Sequence, residues 1–369
     1  MKRLLLIICC LVFAFSFAAC DDIGFNDPPS SRPPQVKPES EQSKKGYLLD
    51  TAQVVYYRNP KDEGKLYAYD KSTRQFDILF DKTEYTFLHS LYKKDNFLYF
   101  VSKIAATDGH PSLYRLDMDD QNSYERLIEN VGDDYIVKDD YIYYTSVIEA
   151  NGDIFYMYRY DVRTRKSELL LDYECKYLNW GGDYIYYIDY YFDGQSIDSG
   201  SGIIKKIDVD TLEVEAVAFP ENEWSIGGIK NLYYSNNRLY FIASTPMDNS
   251  ENDYEDVLFE LDLQSQTLRF VASCRTLLGD AVGTGLYLWD YIVNEDGILF
   301  FIAGADYAIV RLSEEGVVEM IKEYDESVDS HVLASKLLYT IDGKPVAYEI
   351  TNTSDDNIIG AEYLHTILE

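Results

Sequence analysis

Short runs of consecutive apolar and aromatic residues recur along the chain, separated by polar segments rich in turn-forming residues. Such runs, rich in β-branched and aromatic side chains and bounded by turn signals, predict β-strands. Because apolar side chains occupy consecutive rather than alternating positions, both faces of each strand are predicted to be buried. Seven runs share an aromatic residue near the centre: Tyr56, Tyr99, Tyr143, Tyr186, Tyr240, Phe300 and Tyr339.

A four-residue polar hinge recurs between pairs of apolar runs, with Asp in the first position and usually Thr or Ser in the fourth. An Asp at the first turn position accepts a hydrogen bond from the backbone two residues on, and a Thr or Ser at the fourth does likewise. The hinges therefore predict tight turns between antiparallel strands. A metal site is not predicted, because each hinge supplies only two or three oxygens without EF-hand spacing. The hinge residues are Asp70 with Thr73, Asp117, Asp161 with Thr164, Asp208 with Thr211, and Asp262 with Ser265.

The spacing of the aromatic runs, roughly 40 to 60 residues, is typical of the four-stranded blades of a β-propeller. Seven runs favour an all-β propeller of seven four-stranded blades over residues 46–369. The last repeat is irregular, because "VAYEI" at 346–350 is followed by "TNTSDDN" and not by a compact hinge. Six blades plus a closing element is therefore the alternative.

The aromatic strand pattern D-x-[LI]-Y-[YF] and the hinge pattern [LIY]-Y-x-[LIY]-D-x-x-[TS] resemble those of two groups of propellers. One is the bacterial TolB-like propellers. The other is the domains of unknown function that are similar to low-density-lipoprotein-receptor propellers. The resemblance runs from Gly46 to the C-terminus. It implies an architecture and no activity, because such propellers serve as scaffolds, receptors and enzyme domains.

Residues 1–19 are predicted to be a signal peptide. A short basic region precedes an apolar run, Leu4–Ala19, of about 16 residues, which is shorter than the roughly 20 that a spanning helix needs. Ala18, Ala19 and Cys20 resemble a bacterial lipoprotein signal, which implies that Cys20 is lipidated and becomes the mature N-terminus. Ordinary signal cleavage and a retained anchor are the alternatives. Lipidation predicts a chain anchored to a bacterial cell membrane and facing the extracytoplasmic side.

Residues 20–45 are predicted to be a lipidated Cys and a Pro-rich tether. Half of the ten prolines lie between Asn26 and Lys45, and Pro favours extended linkers over packed elements. The formal net charge of −31 argues against nucleic-acid binding and against polybasic contacts with anionic lipid. Beyond the N-terminal region only Cys175 and Cys274 remain, and two buried free thiols are favoured over a disulfide.

No motif of a known catalytic class occurs in the sequence, and the four His lack the spacing of a metal site. His89 and His331 fall on predicted inner strands, which line the channel of a propeller. We interpret them as single channel-wall residues and not as a metal pair. The chain is therefore predicted to be no enzyme and to need no cofactor or metal. An enzyme that acts on an extracellular polymer through these His and channel-wall carboxylates is the alternative.

In a four-stranded meander, the hinges and the turns between first and second strands share one face of the propeller, and the longer connections share the other. Loops on a rigid scaffold commonly carry binding sites. The long connections combine aromatic with acidic residues, which suits recognition of a protein or a glycan. The alternative for any one aromatic residue is that its ring folds back on the rim of the propeller, and for any one acidic residue that it merely faces solvent. The candidate binding residues are Tyr190, Tyr191, Phe192, Asp193, Trp224, Asp248, Glu251, Asp253, Tyr254 and Trp289.

These features together predict a non-catalytic binding or scaffold lipoprotein that recognises a protein or a cell-wall glycan outside the cytoplasm. An accessory subunit of an envelope complex is a further alternative. Reversing the charge of the acidic loop Asp248–Asp256 is expected to weaken partner capture, whereas changes in the hinges are expected to lower stability.

Overall fold

The computed structural model describes most of the chain beyond residue 40. The predicted signal peptide, Cys20 and most of the tether lie outside the described residues. Within the described ranges, no helix is long and apolar enough to cross a membrane. These ranges are 41–42, 48–59, 62, 65–81, 85–104, 110–120, 123–148, 154–190, 202–220, 226–246, 254–279, 287–294, 297–303, 307–324, 336–341 and 344–349.

The described strands form six antiparallel sheets, and in each sheet four strands consecutive in sequence lie side by side. Sheet 1 contains β2 (Leu48–Asp50), β3 (Val54–Asn59), β4 (Lys65–Asp70) and β5 (Gln75–Phe80). Sheet 2 contains β1 (Glu41–Gln42), β6 (Tyr85–Lys94), β7 (Phe97–Ile104), β8 (Ser112–Asp117) and β9 (Tyr124–Ile128). Sheet 3 contains β10 (Val131–Lys138), β11 (Tyr141–Ile148), β12 (Ile154–Asp161) and β13 (Lys166–Leu171).

The second half of the chain repeats this arrangement. Sheet 4 contains β14 (Cys175–Gly181), β15 (Tyr184–Asp189), β16 (Ile203–Asp208) and β17 (Val214–Ala216). Sheet 5 contains β18 (Gly227–Ser235), β19 (Arg238–Pro246), β20 (Tyr254–Asp262) and β21 (Thr267–Ser273), followed by the short helix α1 (Cys274–Leu278). Sheet 6 contains β22 (Tyr287–Asn294), β23 (Gly297–Ala303), β24 (Tyr307–Leu312) and β25 (Val318–Tyr324). A hairpin of β26 (Lys336–Ile341) and β27 (Lys344–Glu349) completes the described strands.

The sheets form a closed ring. Sheets 1 to 5 contact one another in chain order through their inner, first strands, and sheet 5 contacts sheet 6 through β20 and β22. Strand β26 of the hairpin contacts both β22 of sheet 6 and β2 of sheet 1. This arrangement confirms the prediction of an all-β propeller. It does not support seven four-stranded blades, because the described part of the seventh repeat forms only the hairpin. An aromatic run by itself predicts one strand and not a whole blade, and in the sequence no compact hinge follows the seventh run.

The hydrophobic core consists of layers between neighbouring sheets. Ile142 and Tyr144 of β11 are buried against sheet 2, whereas the intervening Tyr143 is buried against sheet 4. Successive side chains of a strand point to opposite faces, so a strand between two sheets needs apolar residues at every position. This geometry explains the consecutive aromatic residues from which the strands were predicted.

Polar contacts also join the sheets near the channel, because several inner strands carry β-bulges. Asn179 links sheets 4 and 5: its Nδ2 donates to the carbonyl oxygen of Leu232 over 2.9 Å, and its Oδ1 accepts from the amide of Tyr234 over 3.1 Å. The amide of Tyr177, a bulge residue with φ of 57°, donates to Oδ2 of Asp134 in sheet 3 over 2.7 Å. The bulges turn backbone groups away from their own sheet and toward the neighbouring one.

The two residues of β1 add a strand to the channel edge of sheet 2, beyond its inner strand β6. Glu41 lies opposite Lys93 and Gln42 lies opposite Tyr92. The sequence assigned both residues to the tether, and in the structure they pair with sheet 2. Strand pairing of this kind uses backbone groups alone, and side-chain composition therefore gave no sign of it.

Candidate binding face

Backbone hydrogen bonds distinguish the two faces of the propeller. In sheet 1 the amide of Lys71, in the hinge, donates to the carbonyl oxygen of Gln53, in the turn between the first and second strands, over 2.9 Å. The amide of Leu263 makes the same bond to Asn237 in sheet 5 over 3.0 Å. We call this side the hinge face. The opposite side, where second strands end and third strands begin, is the long-loop face.

The hinge of sheet 1 shows what its Asp does. Oδ1 of Asp70 accepts hydrogen bonds from the amides of Ser72 and Thr73, both over 2.8 Å. The hydroxyl of Ser72 donates to the same oxygen over 2.6 Å. These bonds, the Ser72 side chain's foremost, lower the pKa of Asp70 to about 2 because they favour the charged carboxylate. The next residue after the hinge, Arg74, has a φ of 58° and completes the reversal.

The same geometry recurs in three other sheets. The amide of the fourth hinge residue donates to Asp Oδ1 over 2.8 to 2.9 Å, and this bond is the main reason that the pKa of each Asp is lowered. The three pairs are Asp161 with Thr164, Asp208 with Thr211, and Asp262 with Ser265. Asp117 in sheet 2 accepts instead from the amide of Asp119 over 2.9 Å and from Nδ2 of Asn96 over 3.0 Å. The five hinge Asp side chains are thus engaged by hydrogen bonds within the turns of this face.

On the long-loop face, three large aromatic side chains are exposed where sheets 5 and 6 adjoin. Tyr254, at the start of β20, is 61% exposed, and Tyr287 and Trp289, at the start of β22, are 53% and 39% exposed. Strands β20 and β22 contact each other. The register of β22 shifts at Trp289, and this bulge keeps the indole outward while Leu288 and Asp290 on either side are buried.

Tyr287 was not among the residues predicted from the sequence. The signal was available, because Tyr287 and Trp289 are two residues apart in the sequence and flank the apolar Leu288. Alternation of this kind is typical of a strand with one exposed face.

Two residues attributed to the long loops have structural positions instead. Tyr190 is half-buried against sheet 5: its hydroxyl donates to the carbonyl oxygen of Ile229 over 3.4 Å, and burial raises its pKa. Asp256 is buried, and its Oδ2 lies 2.9 Å from Nζ of Lys230. Its other oxygen accepts from the hydroxyl of Ser244 over 3.2 Å. Reversing the charge at Asp256 would leave Lys230 without this partner, so a test of the acidic loop must omit that position.

Lys176, in β14 of sheet 4, also has its side chain engaged by neighbouring residues. Nζ of Lys176 lies 2.8 Å from a carboxylate oxygen of Glu174. It also lies 5.0 Å and 5.2 Å from the ring centroids of Phe155 and Tyr190. A cation over two aromatic faces and beside a carboxylate is held in place by its neighbours.

Several candidate residues lie outside the described residues, namely Tyr191, Phe192, Asp193, Trp224, Asp248, Glu251 and Asp253. His331 lies outside them too, and His89 lies in β6. Cys175 and Cys274 are buried free thiols, and burial raises the pKa of each, that of Cys274 to about 12. In the described part of the chain, no three His, Cys, Asp or Glu side chains are grouped so as to hold a metal ion.

No protein-family model and no curated protein matches the chain. Solved structures similar to it include a puromycin hydrolase, with 13% identity and a TM-score of 0.51 over 85% of this chain and 51% of that one. A puromycin-hydrolyzing peptidase from Mycobacterium tuberculosis has 12% identity and a TM-score of 0.51 over 83% and 50%. TolB from Acinetobacter baumannii has 14% identity and a TM-score of 0.45 over 77% and 64%. The chain thus spans about half to two thirds of these proteins, and the likeness to the peptidases is one of fold.

Proposed function

We propose that this chain is an extracytoplasmic lipoprotein that binds a protein or a cell-wall glycan, without catalysis, through its long-loop face. The observation that carries the proposal is the group of three exposed rings, Tyr254, Tyr287 and Trp289, on contacting strands of two sheets. Tyr and Trp dominate the binding energy of many interfaces, because a large ring loses little conformational entropy when it is buried. On the hinge face, by contrast, the five hinge Asp side chains are engaged in their own turns.

Site-specific photocrosslinking in intact cells tests the proposed face. A crosslinking amino acid at Tyr287 is expected to form a discrete adduct, whereas the same group at Gln264, an exposed hinge residue of sheet 5, is the matched control. Digestion of the adduct by protease or by a muramidase distinguishes a protein from a wall glycan. Equal adducts at the two positions, or none at Tyr287, would contradict the assignment.

Affinity for the captured partner gives the second test. Trp289→Ala and Tyr254→Ala are each expected to weaken binding about tenfold, which corresponds to about 1.4 kcal/mol. Gln264→Ala is expected to leave the affinity unchanged. Turnover of the captured partner by the purified chain would favour an enzyme instead.

The lipid anchor is tested separately. Cys20→Ser is expected to move the chain from the membrane fraction to the soluble fraction, and the N-terminal peptide of the unaltered chain is expected to carry the mass of a lipid. Membrane association that survives Cys20→Ser would show that a different segment anchors the chain.

A further inference from the structure

The course of the chain near its N-terminus bears on how the propeller is presented. Strand β1 pairs with β6 on the side opposite β7, and therefore lies at the channel edge of sheet 2. It also contacts β2, the inner strand of sheet 1. Residues 41 and 42 thus run beside the channel and not along the rim of the ring.

The direction of β1 follows from its antiparallel pairing. Strand β6 ends at the hinge face, since the turn that follows it contains Asn96, whose carbonyl oxygen accepts from the hinge amide of Met118 over 2.9 Å. Glu41 lies opposite Lys93, close to that end, and Gln42 lies opposite Tyr92, one residue farther from it. The chain therefore runs from the hinge face toward the long-loop face, and then returns to the hinge face along β2.

We infer that the chain upstream of Glu41 leaves the propeller at the hinge face, so that an N-terminal anchor turns the hinge face toward the membrane and presents the long-loop face outward. This inference rests on the proposed lipid anchor at Cys20. It deepens the proposed function, because it assigns the three exposed rings to the side that partners in the wall or beyond can reach.

The length of the tether favours this orientation. Even when fully extended, the 20 residues between Cys20 and Glu41 span at most roughly 66 Å. To invert the propeller, the tether would have to cross a sheet of four strands and pass along its edge. At about 4.8 Å between strands and about 3.3 Å per residue of a nine-residue strand, that path is about 45 Å. Inversion would therefore use about two thirds of the reach of the tether.

Disulfide trapping tests the position of β1. In the full mature chain with Cys20→Ser, the pair Glu41→Cys and Lys93→Cys is expected to oxidise readily, because the two residues lie directly opposite each other. The control combines Glu41→Cys with Lys138→Cys, at the end of the neighbouring inner strand β10, and is expected to stay reduced. The native thiols do not interfere because both are buried. Equal trapping in the two pairs would overturn the assignment of β1.

Energy transfer to lipid tests the orientation. The same chain, with a hexahistidine tag in place of the signal peptide, is bound to vesicles that contain nickel-chelating lipid and an acceptor dye. Donor dyes are placed at Gln264→Cys, on the hinge face, or at Pro246→Cys, an exposed residue on the long-loop face of the same sheet. The two positions lie at opposite ends of β20, roughly 27 Å apart.

The donor at position 264 is expected to be quenched at least twice as strongly as the donor at 246. Equal quenching, or stronger quenching at 246, would overturn the inference. Because the tag replaces the lipid, this result does not depend on acylation. A chain that proves not to be acylated in cells would refute the proposed anchor, while the vesicle measurement would still report where the tether leaves the propeller.

Discussion

Replacing Tyr291 with Phe tests the idea that polar contacts between inner strands hold the ring together. Tyr291 lies in β22 of sheet 6 and is fully buried. Its hydroxyl donates toward two carbonyl oxygens of sheet 5, that of Asn231 at 2.5 Å and that of Tyr240 at 2.9 Å. The substitution removes only the hydroxyl, so the ring continues to fill its place in the core between the two sheets.

The expected loss is that of a buried hydrogen bond whose acceptors remain. Leaving a buried polar group without its donor costs about 1 to 3 kcal/mol. Unfolding entropy scales with chain length at about 2.1 cal/mol/K per residue. For a propeller of about 320 residues, a loss of about 2 kcal/mol therefore lowers the melting temperature by about 3 °C.

Calorimetry and urea unfolding of the two variants measure this effect. Tyr287→Phe is the matched control, because Tyr287 begins the same strand but is 53% exposed. Its stability is expected to stay within about 0.5 kcal/mol of the unaltered chain. If Tyr291→Phe melted at the unaltered temperature, or if both variants lost the same stability, the hydroxyl would not be a tie between the sheets.

Three further predictions concern the hinges, the buried tyrosines and the thiols. Asp161→Ala is expected to lower the urea midpoint more than Asp161→Asn, because the amide oxygen of Asn still accepts from the turn; equal losses would contradict this role. The Thr164 amide lowers the pKa of Asp161. The ionised Asp161 therefore contributes to folding stability above about pH 4, and this contribution is lost as the pH falls below that value. Asp161→Asn should remove this acid dependence of the stability. Burial raises the pKa of Tyr186 to about 12, so the folded state holds a proton that the unfolded chain loses near pH 10. The stability is therefore expected to fall between pH 10 and 12. Tyr186→Phe should flatten that decline in urea midpoints, and an equally steep decline in the variant and the unaltered chain would contradict the prediction. Burial raises the pKa of Cys274 to about 12, so this thiol is expected to react with a thiol reagent only after unfolding in urea. If it reacted in the folded chain as fast as an exposed thiol, its burial would be refuted.

The middle strands could be predicted from the sequence because their local pattern reflects their burial. A run such as Tyr141–Tyr144 has no polar face, and only a strand between two other sheets can bury every side chain. The number of complete blades could not be read in the same way. One aromatic run predicts one strand, and at the seventh repeat Lys336–Ile341 pairs only with β27 among the described strands.

The inner strands and the details of the binding face depend on contacts between residues far apart in the chain. Asp256 is buried because Lys230 reaches it from another strand of sheet 5. Tyr190 is half-buried because Ile229 of the neighbouring sheet lies beside it. Neither partner is adjacent in sequence, so both residues looked like members of an exposed acidic and aromatic loop. Bulges such as that at Tyr177, with its positive φ, leave no local signal either, because no Gly marks the position.

The exposed rings of the long-loop face differ from residues at loop tips in how they are held. Tyr287 and Trp289 belong to a strand whose intervening Leu288 is buried in the core between sheets 5 and 6. Their backbone is therefore fixed before a partner arrives, and binding has to restrict only the side chains. Because ordering of loops and side chains subtracts from affinity, rings on a rigid strand contribute more of their buried area to binding. It follows that truncating Tyr287 should weaken binding with little loss of stability, whereas truncating Leu288 should reduce both, since it loosens the strand that presents the rings.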